Sequence, residues 1–71
     1  MKNMGESLAE IIGCFVESGL TLKEVVEEVE KIYIEKALRL NNWNLKRTAR
    51  KIEIHRNTLS MKVKKFGIKR K

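Results

Sequence analysis

The chain has 71 residues, the size of one small domain, and such a domain buries only about 60% of its unfolded surface. It carries 16 Lys and Arg against 9 acidic residues for a formal net charge of +7, with one His, one Cys and no Pro. This inventory, which lacks Asp altogether, excludes a metal centre of three or four His, Cys and Asp ligands, a disulfide framework within the chain and a glycine-rich phosphate loop, so an enzyme is not expected.

No run approaches the roughly 18 apolar residues of a membrane span, and the start, MKNMGES, lacks the apolar centre of a signal peptide. With a lone thiol at Cys14 this favours a cytoplasmic protein.

The first helix is marked by Ser7-Leu-Ala-Glu10, a capping box in which a hydroxyl accepts from the N3 amide and a glutamate reaches back to the cap amide. It is expected over residues 7–18, with Leu8, Ile11, Ile12, Phe15 and Val16 at helical spacing and Cys14 as a small buried hydrophobe. Gly19 ends it, because glycine enters the left-handed conformation cheaply.

A second box, Thr21-Leu-Lys-Glu24, starts a longer helix over residues 21–41, with Leu20 and Val25 as a hydrophobic staple. Val25, Val26, Val29, Ile32, Tyr33, Ala37 and Leu40 form one broad stripe on it, widened by Leu22, Ile34 and Leu38. The two helices carry more apolar surface than they can hide on each other, so a partner chain is expected to cover the rest. Crossed or antiparallel pairing of these helices from two subunits would build a four-helix core, with Leu8, Ile11, Ile12, Phe15, Val25, Val29 and Ile32 as the dimerisation residues.

Asn44 is an N-cap for a third, short helix whose Leu45, Ala49 and Ile52 share one face. Then Ile52 and Ile54 alternate with Glu53 and His55 like a strand. Four residues are too few to outweigh helical spacing on both sides, and His55 as N-cap makes Ile54 and Leu59 a further staple. The fourth helix, about 56–66, buries Leu59, Val63 and Phe66; Gly67 closes it and Ile68 folds back on Val63. Trp43 is expected to pack at the junction between the long helix and this pair. The fold class is therefore all-α with four helices per chain. Residues 1–41 form a dimerisation region, and residues 42–71 form a helix-turn-helix.

Charge divides along the same boundary. Residues 1–41 hold five basic residues against eight glutamates (5 − 8 = −3), and residues 42–71 hold eleven against Glu53 alone (11 − 1 = +10). Basic charge concentrated on one part of a small domain marks a polyanion binder, with nucleic acid first and an anionic membrane surface second.

Residues 44–68 resemble the helix-turn-helix of the Fis family, which is shared by the factor for inversion stimulation and the C-terminal domains of NtrC-type, sigma-54-dependent activators. The resemblance is carried by Asn44, Ala49, Ile52, Ile54-His-Arg56, Thr58-Leu59, Lys62-Val-Lys-Lys65 and Phe66-Gly-Ile68. The upstream EVEKIYIEKALRLNNWN is similar to the activator version. The resemblance implies a nucleoid-associated homodimer on a palindromic site of double-stranded DNA, each recognition helix in the major groove. It also implies receiver and ATPase domains in a longer parent protein, and no cofactor. Glu53 stands where the family usually has glycine, so either a left-handed and slightly strained turn or a turn of different shape is expected there. Thr48 replaces a common alanine, and His55 stands where serine or asparagine is frequent.

Within that framework, recognition helices read bases mainly from their N-terminal residues. Arg56, Asn57, Ser60 and Met61 are the expected base readers, Arg56 toward guanine, Asn57 toward adenine and Met61 toward a thymine methyl. Phosphate contacts are expected from Asn44, Lys46, Arg47, Thr58, Lys62, Lys64, Lys65 and the Lys69-Arg-Lys71 tail. Two rival readings remain: a freestanding architectural protein that bends DNA, and a basic amphipathic or single-strand-binding module.

Overall fold

The computed structural model describes residues 3–70, in which α1 (Met4–Glu17), α2 (Leu22–Leu40), α3 (Leu45–Lys51) and α4 (Arg56–Phe66) follow one another with no strand. Lys2 and Lys71, counted in the charge balance and the tail, lie outside the described residues.

The start of α1 departs from the expected one. Asn3 rather than Ser7 caps it: the Asn3 carboxamide oxygen accepts from the Glu6 amide at 2.8 Å, and the Ser7 amide already donates to the Asn3 carbonyl at 3.1 Å. Asparagine is at least as good an N-cap as serine. The helix therefore begins three residues earlier and passes through Gly5. The Thr21 box of α2 forms as expected, with the Glu24 amide donating to the Thr21 hydroxyl at 3.1 Å and the Thr21 amide donating to the Glu24 carboxylate at 3.0 Å.

All four helices end in the same way. The amides of Leu20, Trp43, Ile54 and Ile68 donate to the carbonyls of Phe15, Leu38, Ala49 and Val63, each five residues back. The residue before each donor is left-handed: Gly19 at φ 82°, Asn42 at 54°, Glu53 at 58° and Gly67 at 63°. This is the Schellman closure, in which an apolar residue beyond the left-handed one folds back on the last turn. Glycine does this freely and asparagine with little penalty, whereas Glu53 carries a Cβ into a region that disfavours it. Of the two alternatives expected at Glu53, the left-handed strained turn is the one present. Trp43 is left-handed as well, at φ 61°, and its ring is half-buried against the core at the junction between α2 and α3.

Ile34, Leu38, Ala49, Leu59 and Ile68 make the buried centre, with Trp43, Leu45, Ile52, Ile54, Val63 and Phe66 packed around it. The core thus joins the second half of α2 to the α3–α4 pair. Ala49 leaves room for α4 to approach, and Leu59 has no exposed surface.

Thr48, where alanine was the family expectation, is fully buried, and its hydroxyl donates to the Asn44 carbonyl at 2.7 Å. Asn41 is buried too and donates to the Ala37 carbonyl at 2.8 Å. No buried side-chain polar atom among the described residues lacks a partner.

The stripe expected on α2 splits in two. Ile34 and Leu38, which only widened it in the sequence, are its most buried members. Val26, Val29, Ile32, Tyr33 and Leu40 face solvent. Helix α1 buries none of its residues, and Cys14 is exposed rather than buried, because none of the described residues covers that side of α1.

Candidate nucleic-acid interface

The α3–α4 corner is held locally on both sides. The Ile54 amide closes α3 at 3.0 Å, and His55 then opens α4 in extended backbone, its Nδ1 accepting from the Asn57 amide at 3.0 Å. That acceptor role places the remaining ring proton on Nε2. Ile54 before the cap and Leu59 in the first turn both pack into the core, so two apolar pegs fix where α4 leaves the corner.

One side of α4 is therefore spoken for by Leu59, Val63 and Phe66. On the opposite side Arg56, Asn57, Met61 and Lys64 are exposed, and Ser60 is half-buried at the margin. Met61 is 70% exposed, which removes it from the core. The expected base-reading residues thus share the outer side of α4, together with Lys64.

At the start of α3 the Asn44 side chain accepts from the Arg47 amide at 2.9 Å. Asn44, Lys46, Arg47 and Arg50 line a shallow open concavity. Arg50 was missing from the sequence-predicted set, although it lies three residues after Arg47 and four after Lys46. Helical spacing alone could have placed it beside them.

The basic residues of α4 are not equivalent. Lys64 is exposed, as is the uncharged Thr58. Lys62 instead donates to the Glu30 carboxylate of α2 at 2.8 Å, and Lys65 lies 3.5 Å from the Glu27 carboxylate and 5.5 Å from the Phe66 ring centroid. These two expected phosphate contacts are engaged by the acidic helix beside them.

Of the expected dimerisation residues, Leu8, Ile11, Ile12, Val29 and Ile32 are between 39% and 52% exposed. Phe15 and Val25 are half-buried, and both line a small concavity between α1 and α2 with Leu20, Glu24 and Glu28. The faces lie bare in a single chain. No helix of the described residues is long and apolar enough to cross a membrane.

No curated protein and no solved structure gives a significant match to the chain. The family model for "Bacterial regulatory protein, Fis family" matches residues 25–66, which take in most of α2, the corner and all of α4. The match covers the helix-turn-helix that the core builds and the outward-facing basic and polar side of its second helix. The chain belongs to the Fis family of bacterial regulatory proteins, with a DNA-binding helix-turn-helix at residues 44–66.

Proposed function

We propose that this chain binds double-stranded DNA sequence-specifically as a homodimer, as the DNA-binding domain of a sigma-54-dependent activator. The observation that supports this most is the division of α4. Leu59 is fully buried behind it, while Arg56, Asn57 and Met61 stand exposed in its first two turns. A helix held in that way can enter the major groove, with Arg56 donating to guanine O6 and N7, Asn57 pairing with adenine and Met61 touching a thymine methyl.

Asn44, Lys46, Arg47, Thr58 and Lys64 then contact phosphates, and Arg50 joins them from the concavity it shares with three of them. Homodimer formation is supported by the bare apolar faces of α1 and α2, where Leu8, Ile11, Val26, Val29 and Ile32 are exposed. Two chains related by a two-fold axis would present two α4 helices to successive major grooves.

Receiver and ATPase domains belong to the same proposal through the likeness of α2 and its following turn to the activator form. The uncharged Ser60 and Met61 stand where Fis-family proteins often carry basic residues, which favours base reading over sequence-tolerant bending. Selection of bound duplexes from a random pool tests the whole proposal: two inverted half-sites about one helical turn apart are expected. Enriched duplexes that bind no better than random ones, against the expected difference of about 10³-fold or more, would leave the architectural role instead.

A further inference from the structure

Two ion pairs link α2 to α4 at matching intervals. Glu27 and Glu30 are three residues apart on α2, and Lys62 and Lys65 are three residues apart on α4. Glu30 takes Lys62 at 2.8 Å and Glu27 takes Lys65 at 3.5 Å. Rising numbers on one helix meet falling numbers on the other, so the pairs are two rungs between antiparallel segments. Sliding α4 by one turn would keep only one rung and strand one glutamate and one lysine.

The rungs are half-exposed, with side-chain exposures of 32% and 38% for the Lys62–Glu30 pair, and exposed pairs add little to stability. Their effect is on position and charge. A lysine held by a carboxylate contributes one cation fewer to the phosphate backbone, and binding affinity depends steeply on the number of phosphates neutralised. Glu27 and Glu30 also lie on the stretch of α2 that carries the exposed Val26 and Val29.

We propose that Glu27 and Glu30 are positioning residues for DNA recognition: the ladder fixes the tilt of α4 against α2 and withholds Lys62 and Lys65 from the phosphates. The free charge of α4 is thereby concentrated at Arg56 and Lys64, on its outer side. Through α2 the same rungs tie the angle of the reading helix to the region that pairs two chains. The inference rests on the DNA-binding reading above.

Charge exchange tests it in the full chain. Glu30→Lys and Lys62→Glu each break the rung, and the two together rebuild it reversed, with composition and net charge unchanged. Each single variant is expected to lower the ratio of specific to random duplex affinity by about tenfold or more, and the exchange to return it to within about threefold. The exchange should also keep the wild-type slope of affinity on salt. A Lys62 that contacts phosphate would instead leave the exchange as weak as Lys62→Glu, with a slope shallower by about 0.9 per chain. That result overturns the proposal.

Melting of the DNA-free variants supplies a readout independent of DNA. The exchange should recover melting temperature lost in the single variants, and strictly additive losses would show that the rung is not made. Wild-type chain that binds no duplex would remove the DNA-binding reading and this proposal with it, an outcome distinguished by the first arm of the experiment.

Discussion

His55 Nδ1 accepts the Asn57 amide at 3.0 Å, so the first turn of α4 is held by an imidazole rather than by a hydroxyl or carboxamide oxygen. An asparagine can make the same bond with a shorter and better-suited side chain. His55→Asn is expected to raise the stability of the DNA-free protein by about 0.5 kcal/mol, and His55→Ala to lower it by about 1 kcal/mol. Urea unfolding of the two variants checks the order, and a His55→Ala protein as stable as wild type would show that the cap carries no weight.

Glu53 occupies the left-handed position of the α3 closure at φ 58°. Glycine there relieves the Cβ contact with the following carbonyl, for a gain of about 1 kcal/mol. In a domain of this size that is a rise of about 4–8 °C in melting temperature. A fall in melting temperature for Glu53→Gly would mean that the Glu53 side chain holds the corner in some other way.

The Thr21 amide, then the Thr21 hydroxyl, hold the Glu24 carboxyl below its ordinary value of 4.5. Folding thus favours the ionised form. Its contribution is fully present above the ordinary value and is lost as pH falls through the depressed one. Glu24→Gln, which can still accept from the Thr21 amide but carries no charge, should lower neutral stability slightly, match wild type at low pH and flatten that part of the acid limb. Unfolding midpoints measured across the acidic range would reveal an unchanged limb if the box made no such contribution.

Ile32 is 47% exposed on the bare side of α2, and Val29 is 50% exposed. A charge buried without a partner at a subunit interface costs several kcal/mol. Val29→Glu combined with Ile32→Glu is therefore expected to sediment as a monomer while keeping its helical circular dichroism, because the core of α2 to α4 does not include either residue. A variant that still sediments as a dimer would place the interface elsewhere.

Arg56 and Lys46 should differ in kind. Arg56→Ala is expected to cost about 1–3 kcal/mol and to relax preference at one base of each half-site. Lys46→Ala should weaken binding evenly across duplexes and reduce the salt slope by about 0.9 per chain. Competition titrations at several salt concentrations distinguish the two, and equal effects on every duplex would remove Arg56 from the base-reading set.

Much of the helix-turn-helix was legible because its determinants are local. The Thr21, Asn44 and His55 caps, the Ile54–Leu59 staple and the Gly67 closure each involve residues no more than five apart. The Fis-type pattern is a string of such determinants, and the family match at residues 25–66 confirmed it. Locality failed where two local solutions competed. Asn3 and Ser7 could each cap α1, and the pattern around Ser7 was the more conspicuous. Asn42 suits the left-handed position of the α2 closure, but Trp43 gave no warning of a second left-handed residue, whose indole packs at the α2–α3 junction.

By itself the amino-acid sequence determined the helices, the corner between the last two and the separation of acidic from basic halves, since all are set by near neighbours or by count; the strain at Glu53 was expected only through the Fis-family resemblance. Tertiary structure alone decided which members of the α2 stripe are buried and which cations are free. Ile34 and Leu38 sink into the core because α3 and α4 fold onto that side of α2. Lys62 meets Glu30 across 32 residues of chain. Helical periodicity reports that a face is apolar or charged, but the partner of that face is chosen only when distant segments meet.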